Sequence, residues 1–147
     1  MSSSAALSDL APSLHARAES APPVAVPAEG RTISQDREWF LVKYEGAWRE
    51  LRLHDYPDIY SIRGLYEKIV YDVLQCRSPE VIRDELIGAV KQAGGDPSGL
   101  TVLDLGAGNG IMAEELKDAG VGAGDAGGFI GADLIPEAAE AAERDRP

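Results

Sequence analysis

TVLDLGAGNG, residues 101–110, joins a short apolar run to three glycines at alternate positions. Val102, Leu103 and Leu105 suit a strand buried on both faces, because such strands carry apolar residues continuously instead of in alternation. Gly106, Gly108 and Gly110 then make a turn in which glycine tolerates positive φ and lets a ligand lie against the backbone. The next segment reads as a helix from Ile111 to Ala119, stopped by Gly120. Met112, Leu116 and Ala119 share its apolar face, with Glu114, Glu115, Lys117 and Asp118 elsewhere. Strand, glycine turn and helix make half of a nucleotide-binding unit.

Charge at the turn narrows the ligand. The dinucleotide fingerprint G-x-G-x-x-G would need glycine at position 111, where the chain has Ile111. Asp104 stands at the carboxyl end of the strand, two residues before the first glycine, where it would repel a pyrophosphate and attract an ammonium group. A ligand carrying a cation is implied, and S-adenosylmethionine, an amino-acid moiety joined to a nucleoside, is the common cofactor of that description. Farther on, Phe129, Ile130, Gly131 and Ala132 run into Asp133, placed at the end of a second parallel strand to accept hydrogen bonds from both ribose hydroxyls. Leu134 and Ile135 suit packing on an adenine face. Pro136 opens an alanine-rich helix from Glu137 to Arg146, with acids early and arginines late as the helix dipole prefers.

VLDLGAGNG followed by IGADLIPEAAEAA resembles motif I and the ensuing acidic motif of class I S-adenosylmethionine-dependent methyltransferases, over residues 100–147. The resemblance implies an α/β, Rossmann-like fold that is incomplete here: the family normally has seven strands, and this chain carries the first two parallel strands with their flanking helices. It also implies S-adenosyl-L-methionine as cofactor. Asp104 would help hold the methionyl amino group, the backbone of Gly106, Ala107, Gly108, Asn109 and Gly110 would face the methionyl part, Asp133 would bind ribose, and Leu134 would lie beside it. The family's acceptor-binding and catalytic groups lie largely after the second strand. No catalytic residue is therefore assigned, those groups being expected beyond Pro147, and the chain is expected to be the amino-terminal part of a longer transferase with an unknown methyl acceptor. The sequence departs from the pattern at VGAGDAGG, between Gly120 and Phe129. Asp133 falls 27 positions after Gly106, where about 20 is usual. Gly122 to Gly128, with no preceding strand, is expected to be a flexible loop.

Two other functions fit parts of the pattern. One is an NAD- or FAD-binding oxidoreductase fragment, disfavoured by Ile111 and Asp104; the other is a non-catalytic interaction module that retains a nucleotide-binding fold. An unpaired sheet edge also implies self-association. The formal charge of −11 argues against a nucleic-acid backbone or an anionic membrane as a simple electrostatic partner. No stretch approaches a membrane span in length. The single Cys76 permits no internal disulfide and reads as a small buried or partly buried thiol, and a cytoplasmic location is the default.

Residues 1–30 hold 18 alanines, serines and prolines and no aromatic residue, too little apolar bulk to repay ordering the backbone. Residues 1–36 are expected to be a disordered tail, without a secretory signal because no basic residue precedes Arg17. Residues 37–99 are expected to form a hairpin and helices covering the cofactor site, ahead of the Rossmann-like domain from residue 100. If Glu45-Gly46 is a two-residue turn, Phe40 lies opposite Leu51, Val42 opposite Arg49 and Tyr44 opposite Ala47. A helix over residues 47–53 competes, since Trp48 and Leu51 also fit helical spacing. A helix starting near residues 62–65 would carry Leu65, Ile69, Val70, Val73 and Leu74 on one face. Ser78 and Pro79 read as N-cap and first-turn proline of another, with Ile82, Leu86, Val90 and Ala93 in a stripe and Gly94-Gly95 as its end. His54, Asp55 and Asp58 lack the spacing of a metal cluster, and His15 lies in the tail, so no metal is assigned. Turn-forming acids and half-buried tyrosines are the expectation there, with Tyr56 or Tyr60 lining the pocket as the alternative.

Overall fold

The structure, a computed structural model, describes residues 21–26 and 38–146. It is mixed α/β and divides into two compact units, Met1–Gln75 and Cys76–Pro147. Among the described residues no helix is long and apolar enough to cross a membrane.

In the first unit, β1 (Val24–Ala25), β2 (Trp39–Tyr44) and β3 (Ala47–Arg52) form an antiparallel sheet in that order. The hairpin has the predicted register, Phe40 opposite Leu51, Val42 opposite Arg49 and Tyr44 opposite Ala47. Glu45 and Gly46 take φ of 53° and 83°, the two left-handed positions that a tight type I′ turn needs. Within the stretch expected to be tail, Val24 pairs with Val42 and Ala25 with Leu41. Residues 1–20 and 27–36, His15 included, lie outside the described residues.

Helix formation begins earlier than the apolar spacing predicts. α1 (Tyr56–Ser61) carries Pro57 in its first turn and ends at Ile62; the chain re-enters through Gly64, at φ 72°, as α2 (Leu65–Glu67). α2 then widens into a π-helical turn, Lys68–Val73, in which Leu74 N–H bonds back to the Ile69 carbonyl at 2.9 Å. The wider turn rotates the expected stripe. Leu65 and Ile69 are buried with Phe40, Val42, Ile59 and Ile62, whereas Val70 and Val73 are half-buried and Leu74 faces out.

The second unit runs α3 (Ser78–Gln92), a 3₁₀ turn at Pro97–Gly99, β4 (Thr101–Leu105), α4 (Ile111–Asp118), β5 (Gly128–Ala132) and α5 (Pro136–Asp145). Ser78 is the first helical residue instead of the N-cap, and its hydroxyl lies 3.2 Å from Cys76 Sγ. Gly94, at φ 76°, ends α3 as expected. Asp96 then accepts from Ser98 N–H at 3.0 Å and Ser98 Oγ at 2.7 Å, turning the chain into β4. β4 and β5 pair in parallel, Leu103 opposite Ile130 and Asp104 opposite Gly131.

Three expectations are corrected here. β4 is not buried on both faces: Leu103 and Leu105 are 58% and 76% exposed, and Ile130 on the same face is 56% exposed. α4 lies against the Val102–Asp104–Phe129 face, with Lys117 Nζ 5.6 Å from the Phe129 ring centroid; no described element of this unit covers the other face. The buried side of α4 is Ile111, Glu115 and Leu116, with Met112 half-buried and Ala119 exposed, because Glu115 turns inward to an ion pair with Arg83 of α3. The third correction concerns residues 122–128, which are packed instead of loose. Gly122 N–H donates to Pro97 O at 3.0 Å, Gly124 N–H to Ser98 O at 2.8 Å and Gly128 N–H to Leu100 O at 3.1 Å. A Cβ on Gly127 would fall 2.4 Å from Gly122 O, so glycine is there for close backbone approach.

Candidate functional site

The glycine turn is built as its composition requires. Gly106, Gly108 and Gly110 have φ of 79°, 56° and 79°, a region that costs other L-residues about 1–2 kcal/mol. Gly106 and Ala107 N–H both donate to Ala132 O, at 2.7 and 3.1 Å, which fastens the start of the turn to the end of β5. Gly110 N–H donates to Ala107 O at 2.9 Å, and Gly110 O accepts from Glu114 N–H as α4 begins.

Asp133 completes this frame. Its Oδ2 accepts from Gly108 N–H at 2.7 Å and its Oδ1 from Ile135 N–H at 2.9 Å, so one carboxylate ties the turn to the entry of α5. Asp104 shares a face with Gly131, where the missing side chain leaves room: an added Cβ would meet Ala107 Cβ at 3.1 Å. Asp104 Oδ2 is buried and has no hydrogen-bond partner. Burial, and after it the charge of Asp133, raises the pKa of the Asp104 carboxyl above its ordinary value.

Beside the turn lies an open cavity of about 410 Å³, lined from the strands by Asp104, Phe129, Gly131 and Asp133 and from the turn by Ala107, Gly108 and Gly110. α4 adds Glu114, Lys117 and Asp118, and α5 adds Glu143 and Arg146. Of the predicted residues, Asp104, Ala107, Gly108, Gly110 and Asp133 meet at this cavity, while Gly106, Asn109 and Leu134 do not line it. Asn109 is buried and Leu134 is wholly exposed.

Arg146 carries no sequence signature beyond its place near a helix end. Its Nε donates to Glu114 Oε2 at 2.7 Å and its Nη1 to Asn109 O at 3.0 Å, with the side chain 6% exposed. α5 packs on the turn at Gly110, where a Cβ would meet Ala142 Cβ and Arg146 Cδ at an ordinary 3.6 Å, so glycine is called for there by its φ of 79°.

Tyr56 and Tyr60 belong to the first unit, in a row of rings that begins at His54 and continues to Tyr66 and Tyr71, with centroid spacings of 5.8, 6.1, 5.0 and 6.4 Å. Asp55 accepts from Arg52 N–H at 2.8 Å, as a turn-forming acid does. Among the described residues no group of three His, Cys, Asp or Glu side chains could hold a metal ion.

Compared with protein-family models, curated proteins and solved structures, the chain matches none.

Proposed function

We propose that the second unit is the cofactor-binding portion of an S-adenosylmethionine-dependent methyltransferase, with the beginning of a Rossmann-like sheet. The observation that carries this reading is the buried Asp104 Oδ2, which lacks a hydrogen-bond partner, beneath a turn of three positive-φ glycines. Buried polar atoms are rarely left unpaired, and a ligand ammonium group is the donor that suits a carboxyl group there. A dinucleotide is the weaker candidate. Its pyrophosphate would face five carboxyl groups, Asp104, Glu114, Asp118, Asp133 and Glu143, against Lys117 and an Arg146 already bound to Glu114.

Asp104 takes the methionyl amino group in this reading, and the backbone from Gly106 to Gly110 lies along the methionyl chain. Each Asp133 oxygen already accepts one N–H and keeps a lone pair for a ribose hydroxyl. The cofactor supplies a methyl group activated by sulfonium, and the chain's part is to bind and orient it. The acceptor and the catalytic residues lie outside what this site assigns.

Isothermal titration of the folded chain with S-adenosylhomocysteine tests the reading. Saturable binding is expected, weakened about tenfold by Asp133→Ala, in line with about 1–2 kcal/mol for the lost contacts. A folded chain that does not bind, or that prefers NADH, would sink it.

The uncovered sheet face bears on partners. Leu103, Leu105, Ile130 and the neighbouring Leu134 are each more than half exposed, an apolar patch of the kind that marks an interaction surface. Concentration-dependent self-association is expected in sedimentation velocity, and Leu105→Lys should shift the chain toward monomer. An unchanged distribution would show that this face takes no part.

A further inference from the structure

We infer that Asp104 is a proton-exchanging contact of this site: an ammonium-bearing ligand binds by displacing a proton from its carboxyl group. The inference rests on the cofactor reading above and adds a stoichiometry to it.

Geometry places the proton. Two carboxyl groups, Asp104 and Asp133, line one cavity. Asp133 has a backbone donor for each oxygen, Gly108 N–H and Ile135 N–H, so its negative charge is solvated by the fold. Asp104 Oδ2 is buried with no donor, and its ionised form is disfavoured by burial and by Asp133. The other charged groups at the cavity are Glu114, Lys117 and Asp118 on α4 and Glu143 and Arg146 on α5. Arg146 is bound to Glu114 and to Asn109 O, and Lys117 lies over the Phe129 ring. Neither cation supplies Asp104 Oδ2 with a donor.

Binding then balances as follows. The O–H bond of Asp104 breaks and the proton passes to solvent. The resulting carboxylate accepts N–H from the ligand ammonium, which keeps its own protons. At Asp104 the positive charge of the ammonium takes the place of the departing proton's, so the net charge of that pair is unchanged on binding.

Titration of the full 147-residue chain with S-adenosylhomocysteine, in two buffers of equal pH and different ionisation enthalpy, detects the proton directly. The apparent heats should differ at acidic pH, by an amount that approaches one proton released per ligand, and converge as pH rises past the Asp104 titration. Affinity should rise over the same range by up to about tenfold per pH unit and then level off. Asp104→Asn keeps every other titratable group; it should bind more than tenfold less tightly, by about the strength of a hydrogen bond to a charged group, with a flat pH profile. Glu85→Gln, exposed on α3 and outside the cavity, should release the proton as wild type does. Equal heats in the two buffers, a pH profile that survives Asp104→Asn, or release lost in Glu85→Gln overturns the inference while leaving the cofactor reading in place. A folded chain with no saturable binding at any pH removes both.

Discussion

Replacing Gly127 with alanine should destabilise the second unit by about 3 kcal/mol, the upper end for forcing atoms into a packed site, and lower its melting temperature by about 10 °C or more. The new Cβ would lie 2.4 Å from Gly122 O, 2.6 Å from its carbonyl carbon and 2.7 Å from its Cα. These are backbone atoms, and no rotamer change can move them aside. Both sides of the contact are pinned, Gly122 N–H to Pro97 O and Gly128 N–H to Leu100 O, so relief would pull β5 away from β4 at its first residue. Two other glycines calibrate the effect. Gly124→Ala would bring a Cβ to 3.1 Å from Ser98 O and should cost less. Gly88, inside α3 with open space around the missing Cβ, should gain about 0.5–1 kcal/mol as alanine. Thermal melts that place Gly127→Ala within a degree of wild type would mean that residues 122–128 are loose after all.

That loop shows why part of the fold was legible and part was not. The hairpin register followed from local chemistry, because a turn that needs two left-handed residues fixes every pair behind it. β4 and the glycine turn were equally local. Gly122, Gly124 and Gly127 look in sequence like a flexible linker, and the reasons for them appear only in the folded chain: Phe129 and Leu100 O beside Gly122, Ser98 O beside Gly124, and Gly122 itself beside Gly127. The same holds for the π-helical turn after Glu67 and for Glu115: a polar residue in a helix reads as solvent-facing until Arg83 is known to stand across from it. Burial of Leu103 and Leu105 was expected because parallel strands are usually covered by helices on both faces. Apolar side chains record what a strand is suited to, and the cover itself has to come from another element.

The candidate site divides along the same line. Asp104, the three glycines and Asp133 could be found from their spacing, because backbone conformation and charge at a strand end are local properties. That Asp133 already holds Gly108 and Ile135 N–H could not be found so, since it depends on how the two strands align. Arg146 lies 32 residues from the Glu114 it binds, and its place at the end of an alanine-rich helix suggested only a favourable dipole contact. The lack of a donor for Asp104 Oδ2 is also a property of the assembled site.

Asp104→Asn should therefore act in opposite directions on stability and on binding. In the folded chain burial, and then repulsion from Asp133, raises the Asp104 pKa above its ordinary 3.8. A group that holds its proton more tightly when folded favours folding fully below the unfolded pKa, and that contribution is lost as pH rises through the folded value. Above that value the wild-type chain keeps a charged oxygen without a donor, beside a second carboxylate. The amide carries no charge, so neither burial nor Asp133 penalises it as they penalise the carboxylate. The melting temperature of Asp104→Asn relative to wild type should thus climb from near zero around pH 4 to a gain of a few degrees at pH 7, while S-adenosylhomocysteine binding weakens more than tenfold. Melts of both proteins across that range, beside titrations, decide the matter. A variant less stable than wild type at pH 7 would make Asp104 a structural residue, and a difference independent of pH would trace the effect to packing. A residue whose loss steadies the ligand-free fold and removes binding is one the fold carries at a cost, as binding sites often do.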